Sequence, residues 1–360
     1  MIELLESHWH RCARLGWRER QSELFRPYES EFPRWRPARI AIEHRSGYVA
    51  YDADGECSVS LAGRLREFAT GDPRARPVVG DWVVLQGPTV VAVLARGTEF
   101  VRKSAGVDVP QVIAANVDVV FLVTAAIDDF NPRRLERYLV AVRASGALPV
   151  IVLTKSDLHV DPASRLRELG PIAADAAAHA ISSVTGEGLD SLEPYFDGAR
   201  TVALTGSSGV GKSTLANRLL GEDHFATQSI LATGRGQHTT THRELCVRPS
   251  GGLLLDTPGM REFGLWADDV DVSSAFGDID AIASACRFRD CTHGHEPGCA
   301  VRDAVDRGDL EEERWASFHK LRGETLALGR RADPRLRAEH QRTLRVRSRA
   351  HRERDRLRGK

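Results

Sequence analysis

From residue 38 to about residue 103 the apolar positions fall in short runs broken every few residues by Gly, Asp or Pro. The clearest are Arg39–Ile42, Gly47–Tyr51, Asp81–Leu85 and Val90–Leu94. Strands so short and so closely spaced predict a small barrel, OB-like or SH3-like. Upstream, residues 1–36 are rich in Trp, Arg and Glu and read as a short helix followed by a loop with Pro27, Pro33 and Pro37. From about Gln111 the texture changes to continuous apolar runs, Val117–Val123, Leu148–Leu153, Val202–Leu204 and Leu253–Leu255. These predict buried parallel strands. Asn131–Ser145 and Gly211–Leu220 carry helical periodicity between them, which makes this region α/β. After about Ala267 a Cys/His cluster precedes a helical, highly charged end. The expected architecture is multidomain: an N-terminal extension over 1–37, an OB-like β-barrel over 38–103, an α/β domain over 104–266, a helical metal-binding domain over 267–329 and a basic tail over 330–360.

Composition adds limits. At 360 residues a single core is not expected. No apolar run approaches the roughly 20 residues that span a bilayer, and the N-terminus lacks a basic-then-apolar leader pattern. A cytoplasmic protein without membrane contact, and monomeric, is expected. The 50 Lys+Arg balance the 50 Asp+Glu, but they are segregated. Residues 330–360 hold 13 basic and 4 acidic residues, a net of +9, which leaves −9 for residues 1–329. Overall neutrality therefore does not exclude a polyanionic partner. Only five of the basic residues are lysines, and two of these, Lys155 and Lys212, lie within motifs.

The strongest motif is Gly206-Ser207-Ser208-Gly209-Val210-Gly211-Lys212-Ser213, followed by Thr214. It leaves an apolar strand and opens a helix, the context a phosphate loop requires. Glycines let successive N–H groups curl round phosphate oxygens at the helix N-terminus. Lys212 would neutralise the β- and γ-phosphates and Ser213 would ligate Mg²⁺. Downstream, Leu253-Leu-Leu-Asp256-Thr-Pro-Gly259 puts an acidic residue at a strand end, suited to hold Mg²⁺ through water, with Gly259 N–H available to the γ-phosphate. Thr154-Lys155-Ser156-Asp157 ends another apolar run and fits guanine recognition, the carboxylate accepting two hydrogen bonds from the base. An adenine would leave that carboxylate unsatisfied. Ser182 and Ser183, ending a further apolar stretch, fit the loop whose backbone meets the guanine oxygen. Here base recognition precedes the phosphate loop, the switch region (about 234–242) and Asp256, the reverse of the usual order. The α/β domain is thus expected to be a circularly permuted P-loop GTPase, a rearrangement that adjoining termini permit.

The last cluster is Cys286-x4-Cys291-x-His293-x5-Cys299. Three of six cysteines within 14 residues, with a histidine between them, suit a closed tetrahedral Zn²⁺ site of structural type. His295 is a competing imidazole that spacing alone does not eliminate. Cys12, Cys57 and Cys246 read as packing residues.

With these motifs the blocks 111–118 (QVIAANVD), 236–241 (GQHTTT), 256–266 (DTPGMREFGLW) and 291–301 (CTHGHEPGCAV) resemble the RsgA/YjeQ family of ribosome small-subunit-dependent GTPases, over about residues 38–322. The resemblance implies an OB barrel, the permuted GTPase domain and a C-terminal zinc domain. It also implies late maturation of the 30S subunit, 16S rRNA contacts and GTP hydrolysis to GDP stimulated by that subunit. Met260 stands where many GTPases carry the water-orienting Gln, and a thioether cannot do that work. The resemblance points instead to His238 as catalytic, the alternative being that it anchors the switch loop. One of Thr239–Thr241, here Thr240, would join Ser213 and Asp256 on Mg²⁺. Thr154 departs from the family's usual Asn, which loses an amide tether. Residues 1–35 and the tail match no family block. A second function class is an RNA-binding checkpoint factor that senses guanine nucleotides with little turnover. Four scattered apolar residues in 330–360 are too few for a core-facing helix, so the tail reads as a solvated arm whose arginines would meet rRNA phosphates.

Overall fold

The computed structural model describes residues 11–44, 46–103, 110–127, 130–173, 176–221, 243–256, 272, 275–294 and 296–332. The chain divides into two compact units, Met1–Gly264 and Leu265–Lys360.

In the first unit five strands close a barrel: β1 (Arg36–Glu43), β2 (Tyr48–Asp52), β3 (Gly55–Leu61), β4 (Trp82–Gln86) and β5 (Thr89–Val93). The pairing runs β1-β2-β3-β5-β4 and returns from β4 to β1, with β3 and β5 parallel. Helix α2 (Gly63–Gly71) lies between β3 and β4 in sequence. This is the OB arrangement, which decides between the two barrel types. Strand β3 and helix α2 leave weak hydrophobic signals because most of their residues remain at least partly exposed. Ala38, Ile40, Ala50, Val83, Leu85 and Val90 are fully buried in the barrel interior.

The N-terminal extension is a larger element than expected. Helix α1 spans Glu19–Glu31 and runs through Pro27, where the sequence predicts a loop. Proline removes one helical N–H. Tertiary packing offsets that loss: Phe25 is buried, and Trp17 meets both Phe25 and Trp82 edge-on, at 5.9 and 4.8 Å between ring centroids. The extension thereby covers the outer face of β4.

The α/β region builds on β8 (Val119–Ala125), β9 (Leu148–Thr154), β10 (Ala177–Ala180), β11 (Thr201–Thr205), β12 (Glu244–Val247) and β13 (Leu253–Asp256), in the order β10-β9-β8-β11-β13-β12. Only β12 is antiparallel. The four predicted apolar runs lie in β8, β9, β11 and β13. Strands buried on both faces need no alternation, which is why they read as continuous apolar runs. Helices α3 (Pro132–Ser145), α4 (Pro162–Ala173) and α5 (Lys212–Leu220) connect them, and a separate hairpin pairs β6 (Glu99–Lys103) with β7 (Pro110–Ala115). β12 also pairs with barrel strand β1 at Ile42↔Glu244, so barrel and GTPase sheet are continuous.

A single buried side chain ties the three parts together. Arg39, on β1, is 2% exposed and donates to Leu15 O (2.5 Å), Gly80 O (3.2 Å) and Asn116 O (2.9 Å). Burial pulls its guanidinium down to about 10, so it keeps its charge near neutrality. Beside it Arg18 forks onto Asp118 (2.7 and 3.1 Å), whose carboxylate also accepts the N–H of Thr201 at the head of β11.

The second unit holds α6 (Gly277–Ala283), α7 (Ala300–Arg307) and α8 (Glu312–Ala332). Buried Arg314 forks onto Asp278 at 2.8 Å and lies over the Phe276 ring, which meets Phe318 edge-on. Among the described residues no helix is long and apolar enough to cross a membrane.

Candidate nucleotide site and metal centre

Parallel strands deliver their following loops to one edge of the sheet, where α/β proteins bind ligands. The loop after β11 is the phosphate loop, residues 206–211. Gly206 has φ +147°, and a Cβ there would stand 2.1 Å from Val123 O on neighbouring β8. Only glycine allows the loop to leave the sheet so close to β8. Gly209 and Gly211 also have positive φ, and Gly211 caps α5, whose first residue is Lys212. Val210 is fully buried, while Ser207, Ser208, Gly209 and Gly211 retain exposure. Lys212 Nζ reaches Ser207 O, and Arg134, in the first turn of α3, reaches Ser207 Oγ.

The loop after β9 carries Thr154 to Asp157. Thr154 Oγ1 lies 2.5 Å from Val210 O and 3.1 Å from Thr124 O. In place of the amide that Thr154 lacks, its hydroxyl ties this segment to the phosphate loop. Lys155 adopts φ +58°, a left-handed turn uncommon outside glycine, which starts the 3₁₀ turn Ser156–Leu158. Ser156 N–H donates to Ile181 O at 3.2 Å, which brings in the third loop. There Ser182 Oγ accepts from Val184 and Thr185 N–H, and Ser182 O accepts from Gly186. Asp157 is exposed. The buried hydroxyls of Ser156 and Ser183 have no hydrogen-bond partner among the described residues. A ligand with its own donors and acceptors suits such orphaned groups.

Asp256 is the last residue of β13, next to β11, so its backbone ends at the same edge. His238, Thr240 and Gly259 lie outside the described residues, as do His295 and residues 333–360. The structure thus brings together the segments 154–157, 181–187, 206–213 and the end of β13.

In the second unit the donor atoms of Cys286, Cys291, His293 and Cys299 lie within 4.8 Å of one another. His293 Nδ1 is 3.6 Å from both Cys286 Sγ and Cys299 Sγ. Tetrahedral Zn²⁺ with ordinary bond lengths separates S and N donors by ~3.5 Å. The donor set fits that ion. His293 holds φ +61°, a left-handed conformation set in a tight loop between ligands. Burial and the two neighbouring thiols push the Cys291 thiol up to about 11.

Residues 93–266 match the family model described as RsgA GTPase. A small ribosomal subunit biogenesis GTPase RsgA of Opitutus terrae is 45% identical over 96% of this chain and 98% of that relative. The chain belongs to the RsgA family. An RsgA relative of Lactiplantibacillus plantarum, named as the second small ribosomal subunit biogenesis GTPase of that kind, is 44% identical over 79% of this chain and 82% of its own length. Among solved structures, YjeQ from Thermotoga maritima superposes with a TM-score of 0.60 at 26% identity, covering 81% of this chain and 99% of that one. YloQ, described as a circularly permuted GTPase, gives 0.55 at 26% identity, covering 81% and 95%. The permuted order read from the motifs agrees with the description of YloQ as circularly permuted. Within the RsgA frame, sequence reasoning missed Arg134, which belongs to no motif, and the contact of Thr154, whose partner lies 56 residues away. Arg134 lies 73 residues from Ser207, and no local signal joins them.

Proposed function

We infer that this RsgA chain is a GTPase of small ribosomal subunit biogenesis, converting GTP and water to GDP and phosphate on the 30S subunit and leaving when hydrolysis is complete. The observation that carries this reading is the convergence at one sheet edge of the phosphate loop with the Thr154–Asp157 and Ile181–Glu187 loops, in permuted order. In this reading the N–H groups of residues 206–214 cradle the phosphates and Lys212 neutralises them. Asp157 selects guanine, with Thr154, Lys155, Ser156, Ser182 and Ser183 shaping its pocket. Ser213, Thr240 and Asp256 hold Mg²⁺, which offsets the charge that develops on the phosphates. Gly259 senses the γ-phosphate and His238 orients the attacking water. Cys286, Cys291, His293 and Cys299 hold one structural Zn²⁺. The proposed segments are an extension over 1–37, the barrel over 38–103, the GTPase over 104–266, the zinc domain over 267–329 and the tail over 330–360. The barrel, zinc domain and tail contact 16S rRNA.

The test is GTP turnover with and without purified 30S subunits, with ATP as control. Stimulation well above the basal rate, absent with ATP, is expected. Tight subunit binding without stimulation would favour the checkpoint reading instead.

A further inference from the structure

Strands β8 and β11 are parallel neighbours, paired from Val119↔Val202 to Leu122↔Thr205, so the segments that follow them emerge at the same edge. After β11 comes the phosphate loop. After β8 comes helix α3, whose first turn is fixed by Asn131 Oδ1 accepting the Arg134 N–H at 3.1 Å. Two arginines stand in that turn. Arg133 is directed to Glu136, a fully buried carboxylate, at 2.6 Å. Arg134 crosses to the phosphate loop and donates to Ser207 Oγ. Lys212 Nζ meets the carbonyl of the same residue. Two cationic groups thus hold one loop residue, one by its side chain and one by its backbone. A loop held by two cationic groups suits a polyphosphate anion. The hydroxyl matters too: a charge-assisted hydrogen bond limits how far the loop can flex, and a preorganised loop loses less entropy when it binds.

We propose that Arg134 is a positioning residue of the phosphate loop, acting through the Ser207 hydroxyl, so that nucleotide affinity depends on a side chain outside the glycine-rich motif. The proposal rests on the reading of this edge as a GTP site. It assigns Arg134 no contact with the nucleotide, so GDP and GTP should feel its loss alike.

The test is titration of the full-length chain, with Mg²⁺, against fluorescent GDP and a fluorescent non-hydrolysable GTP analogue. Arg134→Gln and Ser207→Ala should each weaken both nucleotides about tenfold, the factor that corresponds to ~1.4 kcal/mol for one charge-assisted hydrogen bond. The double variant should bind no more weakly than the weaker single one, because both substitutions break the same contact. Arg134→Lys keeps the charge without the planar fork and should stay at least about threefold weaker than wild type. Single variants within twofold of wild type, additive losses or full recovery by lysine would overturn the proposal. So would a loss confined to the triphosphate, which would put the guanidinium on the terminal phosphate. Should Arg134→Gln fail to fold by circular dichroism, Ser207→Ala and Arg134→Lys decide the matter. Failure of the wild-type chain to bind either nucleotide would overturn the GTP-site reading, and the brace with it.

Discussion

Replacing Arg39 by Met removes three hydrogen bonds at once, but their losses are unequal. Gly80 O keeps a second donor, the Asn116 side-chain amide at 3.1 Å. Leu15 O and Asn116 O lose the guanidinium that serves them at 2.5 and 2.9 Å. A buried carbonyl deprived of its donor costs about 1–3 kcal/mol. The guanidinium also lies 5.5 Å from the Trp82 ring centroid, a contact of ~0.5–1 kcal/mol. Against these stands relief from burying a charge, which lowers the total. The expected loss is about 3–5 kcal/mol, seen as a lower urea midpoint with unchanged slope and a Tm reduced by roughly 6–12 °C. Arg39→Lys keeps the charge but can serve fewer carbonyls and should lose about half as much. A loss below about 1 kcal/mol for Arg39→Met would refute the reasoning, because it would mean the carbonyls find other partners or water without cost.

Four further outcomes are expected. Gly206→Ala forces a Cβ against Val123 O in a backbone conformation that L residues avoid; strain of ~3 kcal/mol should weaken nucleotide binding at least about 100-fold by titration calorimetry. Binding of Zn²⁺ must displace the Cys291 proton, since that thiol sits at about 11, well above neutrality. Zinc affinity should therefore rise from pH 6.5 to pH 8, measured by competition with a chromophoric chelator, and Cys291→Ser should lower both zinc content by elemental analysis and Tm. His238→Ala should retain GTP binding and lose subunit-stimulated turnover in a phosphate-release assay; full stimulation would discard the assignment. Deleting residues 330–360 should flatten the salt dependence of subunit binding, read from sedimentation across a salt series.

What could be read from the sequence was whatever repeats locally. The runs in β8, β9, β11 and β13 are apolar throughout because both faces are covered, and the phosphate loop is legible because three glycines and a lysine at fixed offsets have few other uses. Strand β3 was not legible: only Val59 of its seven residues is buried, so no alternation stands out. Helix α1 was cut short at Pro27 because local propensity says nothing of Phe25 and Trp17 packing on Trp82. The same limit hid the contacts that hold the site. The Thr154 hydroxyl meets a carbonyl 56 residues away and Arg39 meets one 77 residues away. Such pairings belong to the topology rather than to any window of sequence.

The ladder between Ile42 and Glu244 has a consequence for how the chain can be divided. A four-residue antiparallel strand at the rim of a parallel sheet leaves unpaired N–H and C=O groups facing outward, the kind of border along which sheets of separate molecules join. In this RsgA chain the barrel meets that border at Glu244, with Arg243 and Glu43 paired at 3.6 Å beside it. A GTPase fragment beginning near residue 104 would carry an open margin on β12, whereas β1 of the barrel stays paired with β2 and β4. The GTPase fragment should self-associate at concentrations where the intact chain stays dispersed. A truncation made to simplify the protein would uncover the part of that border which β1 holds in the whole chain.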